Sequence, residues 1–586
     1  MKKQAIVLLG SIAMINACGS GGGGSQTNSI PVVTNTTSDT PAPSFQKIKL
    51  NQIGFLPDDA KIAIIPSGQA TTFQLVSAND DSQVFSGQLS TPQIWQPAAE
   101  TVSIADFSNF SAPGEYRLKV DGVDDSNIVT INSDVYLAAH DAALKAYYFN
   151  RASSELLAEH AGVWSRLSGH ADDNVLIHIS SASVQRPEGS IISSPKGWYD
   201  AGDYNKYIVN SGISVYTLLV AYEHHPVFYQ NRDITIPESA DQTPDILDEV
   251  KWNLDWMMTM QDPNDGGVYH KLTTLNFSGS VMPVQATTQR YVVQKSTAAA
   301  LNFSATMAVA SRIYGGFPQF ITEADQYQNA AEMAWKWANE NPDVVYVQPD
   351  DVSTGEYGDR VLNDEFSWAA AELFLLTDGE QYLEQFKLLS IMPSVPAWSN
   401  SAALGYISLL NNGKKVLSNE DYNQFLDRFI SLADTIVSQH QQSAYAVAMQ
   451  DSDFVWGSNS VALNKAFVLL QALRLTSDTK YKTAATGLVD YVLGRNPTDY
   501  SYLTGFGAKT PLNIHHRPSH ADNVTEPIPG FVAGGAHPGQ QDKCSYASDL
   551  PAKSYLDDWC SYSTNEVTIN WNAPLVYVLA NLHTMQ

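Results

Sequence analysis

The sequence predicts a mainly α-helical protein in which a small β-sandwich precedes a large helical domain. Two patterns indicate this fold class. Between residues 47 and 132, short extended segments alternate with turn signals, whereas after residue 133 apolar residues recur about every 3.6 positions. The 586 residues are 44% hydrophobic, a composition that allows a large buried core.

The first 18 residues have the pattern of an export signal. Lys2 and Lys3 precede an apolar run over residues 5–15 that is too short to span a bilayer. The segment that ends at Cys18 is similar to a bacterial lipobox, which predicts a lipid anchor on Cys18, with ordinary cleavage nearby as the alternative. We therefore expect an exported protein, either an outer-membrane lipoprotein or a secreted one.

A low-complexity segment follows the export signal. Residues 19–45 consist mostly of Gly, Ser, Thr, Asn and Pro, which cannot bury enough apolar surface to fold, so a disordered tether is predicted. No later segment offers the run of roughly 18 apolar residues that a transmembrane helix requires. The sequence therefore predicts contact with a membrane only through the lipid anchor.

The predicted β-sandwich spans residues 46–133. Turn dipeptides such as Pro113-Gly114 and Asp121-Gly122 separate its extended segments at the spacing of an all-β domain. The predicted strands cover residues 61–65, 73–76, 101–104, 116–120 and 128–131, after an alternating start at Ile48 and Leu50.

The helical domain is predicted over residues 134–586. Its twelve predicted helices cover residues 134–156, 206–222, 244–261, 295–314, 322–340, 363–377, 379–389, 399–410, 418–440, 458–474, 478–494 and 565–583. So many helices need a closed arrangement, and paired helices in a toroid provide one. The connections at residues 157–205 and 495–564 are far longer than ordinary helix links, which indicates function or a lid.

The chain is strongly acidic. It has 34 Lys and Arg residues against 61 Asp and Glu residues, a formal net charge of −27. Such an excess repels phosphate backbones and anionic lipid headgroups, so nucleic-acid binding and polybasic membrane binding are poor hypotheses. The 12 Trp and 28 Tyr residues favour a ligand with flat apolar faces, although most aromatic rings fill cores.

The first long loop carries two acids within residues 197–207, which read Gly-Trp-Tyr-Asp-Ala-Gly-Asp-Tyr-Asn-Lys-Tyr. Asp200 and Asp203 stand three residues apart at a loop-to-helix junction, where side chains can point the same way and the helix N-terminus favours ionised carboxylates. This arrangement suits a general base. The alternative is structural, with Asp203 as a helix cap and Asp200 in a turn.

The second long loop contains a His-His-Arg cluster at residues 515–517, after a Gly-rich run. Such a cluster can donate several hydrogen bonds to a polyhydroxylated ligand or hold a carboxylate in place. Zinc binding by the histidine pair lacks a convincing third and fourth ligand. A purely structural His515 is the other alternative.

One acid stands near the start of the final predicted helix. Glu566 lies among aromatic and apolar neighbours, where desolvation would raise its pKa, as a general acid requires. The helix N-terminus acts in the opposite direction. Taken alone, Glu566 suits a capping role equally well.

Three cysteines allow one pairing once Cys18 is set aside as the lipid candidate. Cys544 and Cys560 are then the possible partners, and an exported chain favours a disulfide between them over two free buried thiols. A bridge that closes a loop of about 15 residues stabilises the fold by about 3 kcal/mol.

Together these segments resemble glycoside hydrolase family 9, the inverting β-1,4-glucanases with an (α/α)6 barrel. The fixed positions of the family's histidine signature hold Ser501, Leu503, Thr504, Gly507, Lys509, Ile514, His515 and Arg517. Those of its acidic signature hold Tyr555, Asp557, Tyr562, Glu566, Thr568, Asn572 and Ala573. Residues 200–207 look like the family's base motif, and residues 47–132 resemble the immunoglobulin-like domain that precedes the barrel in one branch.

The resemblance implies a role for each of these acids. Asp203 would be the general base that activates water, Asp200 its partner on that water, and Glu566 the general acid. The implied sugar contacts are His515, Arg517 and His270, with Tyr562 steadying the acid. Inversion leaves room for a water between the carboxyls, so we expect Asp203 and Glu566 to lie roughly 6.5–9.5 Å apart.

Further positions are expected to bind sugar or metal. Trp198 and Trp456 are predicted to stack on glucosyl faces, with packing in the wall as the alternative. An oxygen-rich segment looks like a calcium loop of the family, with candidate ligands Gly355, Asp359, Asp364 and Glu365. Because no cysteine stands between Cys18 and Cys544, we expect the Cys2His2 zinc site of some relatives to be absent.

The resemblance implies an exported, monomeric endo-β-1,4-glucanase that hydrolyses cellulose or a related β-glucan without a cofactor for its chemistry. One alternative keeps the fold and changes the action, to an exo-acting cellodextrinase or exo-glucosaminidase. Another is a non-catalytic glycan-binding lipoprotein. Product analysis distinguishes the first pair, and the presence or absence of turnover distinguishes the enzyme from the binding protein.

Overall fold

The computed structural model describes residues 47–585. The predicted export signal, the lipid anchor on Cys18 and the tether lie outside the described residues and stay predictions. Across the described range, no helix combines the length and the apolar character that crossing a bilayer requires.

A two-layered β-sandwich forms the first part of the described chain, as the sequence predicts. Its strands are β1 (Ile62–Pro66), β2 (Thr72–Ser77), β3 (Gln83–Gln88), β4 (Gln93–Trp95), β5 (Glu100–Asp106), β6 (Gly114–Lys119) and β7 (Val129–Ile131). One sheet has the order β1–β5–β4 and the other β3–β2–β6–β7, with every neighbouring pair antiparallel. The sequence pattern misses β3 and β4 because most of their side chains are exposed, which hides the alternation of a half-buried strand.

The helical part contains twelve helices of ten or more residues among the described residues, in the places where the sequence predicts them. They are α1 (Leu137–Phe149), α2 (Ile208–His224), α3 (Asp245–Thr259), α4 (Thr297–Tyr314), α5 (Ile321–Glu340), α6 (Asn363–Thr377), α7 (Glu380–Leu389), α8 (Ala402–Asn412), α9 (Asn419–Gln442), α10 (Ser458–Thr476), α11 (Thr479–Val492) and α12 (Ile569–Thr584). The 3.6-residue apolar periodicity of these segments is strong enough to predict helices there.

Six of these helices close into an inner ring. Along this ring α2, α4, α6, α8, α10 and α12 follow one another, and α12 packs back against α2. Each remaining helix packs outside one member of the ring, for example α5 against α4 and α11 against α10. The inner helices are buried over most of their surface, and in α4 every residue except Arg312 is buried. The arrangement confirms the predicted (α/α)6 barrel.

The alternation of inner and outer helices decides where a site can form. Because inner helices are separated along the chain by outer ones that return it, the inner helices run in the same direction. Their N-terminal ends therefore meet at one end of the ring, together with the loops that precede them. The partial positive charges of these helix ends favour bound anions and carboxylates there.

A small five-stranded sheet lies within the long loops ahead of α2 and α4. Its strands are β8 (Val175–Ile177), β9 (Ile191–Ile192), β10 (Lys206–Tyr207), β11 (Lys271–Thr273) and β12 (Tyr291–Val292), in the order β10–β11–β12–β8–β9. Strand β10 runs directly into α2. The sheet therefore fixes how the preceding acidic segment approaches the ring.

The sandwich packs directly against the outer layer of the helical domain. The ring of Trp95 lies 4.3 Å from that of Tyr445. Asn51 donates a hydrogen bond of 2.9 Å to the buried carboxylate of Asp490. Because these contacts are buried and specific, the two parts share a single packed interface.

Candidate active site

A cleft opens at the end of the ring where the inner helices begin. Its volume is about 940 Å3. Its walls come from the loops ahead of α2, α4, α6, α8, α10 and α12 and include Asp203, Phe277, Tyr357, Trp398, Trp456 and Glu566. The cleft therefore joins both long loops that the sequence singles out.

Close backbone contacts hold the acidic segment of the first long loop against the second. A Cβ atom on Gly202 would lie 2.0 Å from the carbonyl oxygen of His515, so glycine is required for this approach. The backbone N–H of Arg517 donates to the carbonyl of Gly202 at 3.1 Å. The N–H of Ile569 donates to the carbonyl of Asp200 at 2.9 Å. These bonds bring residues from three distant parts of the sequence together.

Asp200 is buried at the bottom of the cleft. Its Oδ2 accepts a hydrogen bond of 2.7 Å from the hydroxyl of Tyr357, and its Oδ1 accepts one from the side-chain amide of Asn210, in the first turn of α2. Burial raises the pKa of Asp200 to about 8, and the charge of neighbouring Asp203 adds to the increase. The two donors act in the opposite direction.

Asp203 lines the same cleft and is also largely buried. Its Oδ2 accepts hydrogen bonds from the side-chain amide and the backbone N–H of Asn205 and from the hydroxyl of Tyr207. Burial raises the pKa of Asp203, whereas the positive charge of Arg517 and the donors on Asn205 lower it. Of the two aspartates, Asp203 thus has a guanidinium to favour its anionic form.

Glu566 faces the two aspartates from the loop ahead of α12. Its backbone carbonyl accepts a hydrogen bond of 2.9 Å from Gly534, and it forms a parallel bridge with His515. Burial, with the negative charges of Asp203 and Asp200, holds the pKa of the Glu566 carboxyl well above its usual range. This direction favours the protonated form, which can donate a proton.

His515 presents one ring nitrogen to the cleft. Its Nδ1 lies 2.7 Å from the carbonyl oxygen of Trp559, and the two rings stack 4.3 Å apart. Because a carbonyl only accepts, Nδ1 carries the proton. Burial lowers the pKa of His515 and favours the neutral ring. Its Nε2 is then free to accept a hydrogen bond from a hydroxyl group.

Arg517 and Tyr562 also line the cleft. The guanidinium of Arg517 donates to the carbonyls of Gly202, at 2.6 Å, and Ser278, at 2.9 Å. The hydroxyl of Tyr562 donates to the carbonyl of Gln541 at 3.1 Å. Arg517 therefore fastens both walls of the cleft while adding positive charge beside the carboxyls.

Trp456 is the exposed tryptophan of the cleft, with 41% of its surface accessible. Its ring lies 5.5 Å from that of Tyr562, with 35° between the planes. The next residue, Gly457, has a φ of +82° and packs so tightly on Trp571 that a Cβ would lie 2.8 Å from the indole. This glycine lets Trp456 turn outward over the cleft, where a flat ring can contact a sugar face.

The prediction that Trp198 stacks on sugar is wrong. Its side chain is fully buried, and its indole N–H donates to the carboxylate of Glu249 at 2.7 Å. The ring packs 4.6 Å from that of Tyr147 in α1. Trp198 lies beneath the acidic segment and supports it from the core.

The prediction that His270 contacts the sugar is also wrong. The ring is fully buried and stacks on Tyr346 at 4.0 Å. Its nitrogens are used by the hydroxyl of Ser296, at 2.8 Å, and the carbonyl of Glu356, at 3.0 Å. His270 therefore supports the loop that carries Tyr357 without lining the cleft.

Several cleft residues escape the sequence reasoning. Tyr357 and Trp398 line the cleft, and their ring centres lie 5.1 Å apart. Glu356 and Phe277 add an exposed carboxylate and an exposed aromatic ring. The signal that could have found Trp398 is its place shortly before an inner helix, four residues ahead of α8, as Trp456 stands two residues ahead of α10.

The predicted calcium loop contains unpaired carboxyl oxygens. Glu365 is fully buried and neither of its carboxyl oxygens has a hydrogen-bond partner, and one oxygen each of Asp359 and Asp364 is also without one. The carbonyl of Gly355 accepts a hydrogen bond from the side-chain amine of Lys271 at 2.6 Å, and Gly355 as a calcium ligand stays a prediction. Among residues 47–585, no three His, Cys, Asp or Glu side chains are arranged to hold a metal ion.

A disulfide joins Cys544 to Cys560, the pair that the sequence predicts. It closes the segment that leads to the acid-bearing loop. Just outside the bridged segment, the carboxylate of Asp542 accepts hydrogen bonds from the backbone N–H and the hydroxyl of Ser563. The bridge therefore constrains a loop that packs directly ahead of Glu566.

Comparison with protein families assigns both parts of the chain. A sequence model described as glycosyl hydrolase family 9 matches residues 136–579. A second model, described as a cellulase N-terminal ig-like domain, matches residues 44–125.

Individual relatives agree with the family match over most of their length. A xyloglucan-specific endo-β-1,4-glucanase of Bacteroides ovatus is 42% identical over 559 residues, which cover 92% of this chain and 94% of the relative. Endoglucanase D of Acetivibrio thermocellus is 34% identical, with 99% of this chain and 86% of the relative covered. A solved structure of a Bacteroides ovatus family 9 protein superimposes with a TM-score of 0.87 at 40% identity, covering 92% of this chain and 99% of the other.

Proposed function

Because this chain belongs to glycosyl hydrolase family 9, we propose that it is an endo-β-1,4-glucanase that hydrolyses cellulose or a related β-glucan. The observation that carries the proposal is the meeting of Asp200, Asp203 and Glu566 in one cleft. Single-displacement glycoside hydrolysis needs a carboxylate as base and a carboxylic acid as proton donor, and here the aspartates and the glutamate come from separate loops.

The environments of the carboxyls support distinct roles. Glu566 has the raised pKa of a general acid and would protonate the leaving oxygen of the glycosidic bond. Asp203 would take a proton from the attacking water, since Arg517 and Asn205 favour its anionic form. Asp200, fixed by Tyr357 and Asn210, would hold that water from a second side. Water then attacks the anomeric carbon opposite the departing oxygen, and its configuration inverts.

The rest of the cleft supports binding of a glucan. Trp456 and Trp398 both line the cleft and offer flat apolar rings, which suits the apolar faces of glucosyl units. The neutral ring of His515 would accept a hydrogen bond from a sugar hydroxyl next to Glu566. Such a mixture of aromatic platforms and a few placed polar groups is typical of a site for a neutral oligosaccharide.

Variants of the two central carboxyls test the role assignment. We expect Asp203→Asn and Glu566→Gln each to lower kcat by at least about 100-fold, because general acid or base catalysis contributes about 10²–10⁴. Cello-oligosaccharide binding, measured by calorimetry, should persist in both. Glu526→Gln is the matched control. Glu526 is exposed in the second long loop, and the variant should keep full activity. Full activity in either carboxyl variant would refute its role.

Xyloglucan is a second candidate substrate, because the 42% identical relative carries a xyloglucan-specific name. A panel of xyloglucan, carboxymethylcellulose, mixed-linkage glucan and cello-oligosaccharides distinguishes the candidates. A rapid fall in the viscosity of carboxymethylcellulose indicates endo action on unbranched chains. Release of single short products without loss of viscosity would favour the exo-acting alternative, and binding without turnover would favour a glycan-binding protein.

We further propose a structural Ca²⁺ site around the predicted calcium loop. Its candidate ligands are Asp359, Asp364 and Glu365, which have unpaired buried oxygens; because the three carboxyls are not arranged around one metal position in this structure, a bound Ca²⁺ would have to draw them together. Backbone and water oxygens would complete the coordination of Ca²⁺. Chelation should lower the Tm and added Ca²⁺ should restore it, whereas Glu365→Gln should abolish that response. A Tm that is independent of Ca²⁺ would refute the site.

The cellular location is proposed from the sequence pattern alone. We propose that the chain is exported, acylated at Cys18 and active as a monomer held at the outer membrane. Incorporation of labelled palmitate into the wild-type chain, and its loss in Cys18→Ala, would support the anchor. An unlabelled wild-type chain in the culture medium would indicate a secreted enzyme instead.

A further inference from the structure

Asn205 is placed to orient the proposed base as well as to favour its anionic form. It follows Asp203 by two residues and is almost fully buried. Both its side-chain amide and its backbone N–H donate to Oδ2 of Asp203, the backbone bond being 3.4 Å long. The backbone carbonyl oxygen of Asn205 accepts a hydrogen bond from the backbone N–H of Asp200 at 3.0 Å. Asn205 therefore contacts both aspartates.

The orientation of the Asn205 amide is set by the small sheet. Strand β10 pairs with β11 through Lys206 opposite Leu272 and Tyr207 opposite Lys271, and the ladder stops there. Just past β11, the backbone N–H of Thr274 donates to Oδ1 of Asn205 at 3.0 Å, and the Thr274 hydroxyl points to the same oxygen at 3.5 Å. Because Oδ1 is occupied as an acceptor, the NH2 group must face Asp203.

These hydrogen bonds place the two carboxyl oxygens of Asp203 in different environments. Among the described residues, Oδ2 receives the protein donors, from Asn205 and Tyr207, and Oδ1 receives none. Oδ1 is thus the oxygen left for a water molecule in the cleft. Donors on Oδ2 also stabilise the anionic form, against the burial that raises the pKa of Asp203.

We propose that Asn205 is a positioning residue that holds Oδ2 of Asp203, keeps the carboxylate ionised and directs Oδ1 toward the attacking water, with Thr274 as the anchor of its amide. The inference rests on the proposed role of Asp203 as general base. An asparagine suits this position because one side chain must both accept from Thr274 and donate to Asp203, which serine and alanine cannot do at this length.

Other charged groups around Asp203 set the background against which Asn205 acts. The titratable and charged groups that face Asp203 are Asp200, Tyr204 and Tyr207 on its own segment, Lys271 on β11, Arg290 ahead of β12, and Arg517 and Glu566 on the second long loop. Each of them remains in an Asn205 variant. A shift in the pH profile of that variant therefore reports the loss of the amide donor.

The test compares pH profiles of kcat/KM on a soluble cello-oligosaccharide. Asn205→Ala removes the donor, so the pKa of Asp203 rises and the acid limb should move to higher pH by about one unit, with kcat reduced and KM within about twofold. Asn205→Asp keeps the volume and the acceptor for Thr274 but replaces the donor with a carboxyl, so its limb should move further. This second variant keeps the test open if Asn205→Ala fails to fold.

Asn253→Ala is the matched control. Asn253 is equally buried and anchors the same loop by accepting the N–H of Trp198 at 3.1 Å, yet it bonds neither aspartate. Its acid limb should stay at the wild-type pH. An unmoved limb in both Asn205 variants, with Asp203→Asn inactive, would overturn the role of Asn205 alone. Full activity of Asp203→Asn would instead overturn the proposed function.

Discussion

Gly202 offers a direct test of how the cleft is assembled. In Gly202→Ala, the new Cβ would lie 2.0 Å from the carbonyl oxygen and 3.1 Å from a ring carbon of His515. Non-bonded heavy atoms settle near about 3.5 Å, so the two loops would have to separate by at least about 1 Å. That movement would carry Asp203 away from Glu566 and break the bond from Arg517 to the Gly202 carbonyl.

The expected loss can be estimated from this displacement. A misplacement of about 1 Å in a catalytic constellation can lower kcat about 100-fold, and we expect that magnitude for Gly202→Ala. Initial rates of reducing-sugar release on a soluble β-glucan give kcat, and thermal unfolding checks that the chain is folded. Gly279→Ala is the control, because a Cβ there meets open space on the neighbouring loop.

One outcome would show that the contact between Gly202 and His515 is unimportant for catalysis. If Gly202→Ala is folded and retains kcat within about twofold of the wild type, the contact between the two loops does not position the carboxyls. A loss of the same size in Gly279→Ala would show that the assay responds to loop substitutions in general.

Three further predictions concern the aromatic residues and the pH profile. Trp456→Ala should raise KM for cello-oligosaccharides about fivefold with little change in kcat, since a lost stacking contact is worth about 1 kcal/mol; unchanged binding by calorimetry would contradict it. Trp198→Phe should lower the free energy of unfolding by about 1–3 kcal/mol, because Glu249 loses a buried donor, and leave KM unchanged in the folded fraction. Asp200→Asn removes a negative charge that raises the pKa of Glu566. Activity needs protonated Glu566, so the alkaline limb of the pH–activity profile should move to lower pH. An alkaline limb that does not move would argue against Glu566 as the acid.

The helices could be predicted because their apolar periodicity is a local property. All twelve long helices of the described chain lie where the pattern of 3.6 residues places them, and the inner ones are buried over most of their surface. Strands β3 and β4 were beyond this reasoning, since exposed strands show little alternation. Closure of the ring also follows from the helix count, because unpaired apolar faces would otherwise meet water.

The candidate site could be predicted only in part. Asp200, Asp203, Glu566, His515, Arg517 and Tyr562 stand in motifs, and the structure brings them into one cleft. The tryptophans could not be ranked, because side-chain direction depends on packing that the sequence does not contain. Trp198 turns inward onto Glu249, whereas the left-handed turn at Gly457 directs Trp456 outward.

Contacts made across the fold were also hidden from the sequence. Tyr357 reaches Asp200 from 157 positions away, and its loop is held by Lys271 and His270 from a third part of the chain. Neither pairing has a local signature. Such supporting residues emerge only when the loops ahead of different inner helices are seen together.

The stereochemistry of the first product is the most direct test of the central claim, which is single displacement by water between Asp203 and Glu566. Proton NMR during hydrolysis of a soluble cello-oligosaccharide follows the anomer that forms before mutarotation. Inversion of a β-linkage predicts that the α-anomer appears first. Initial release of the β-anomer would indicate a covalent glycosyl-enzyme intermediate and contradict the assignment of Asp203 as a general base.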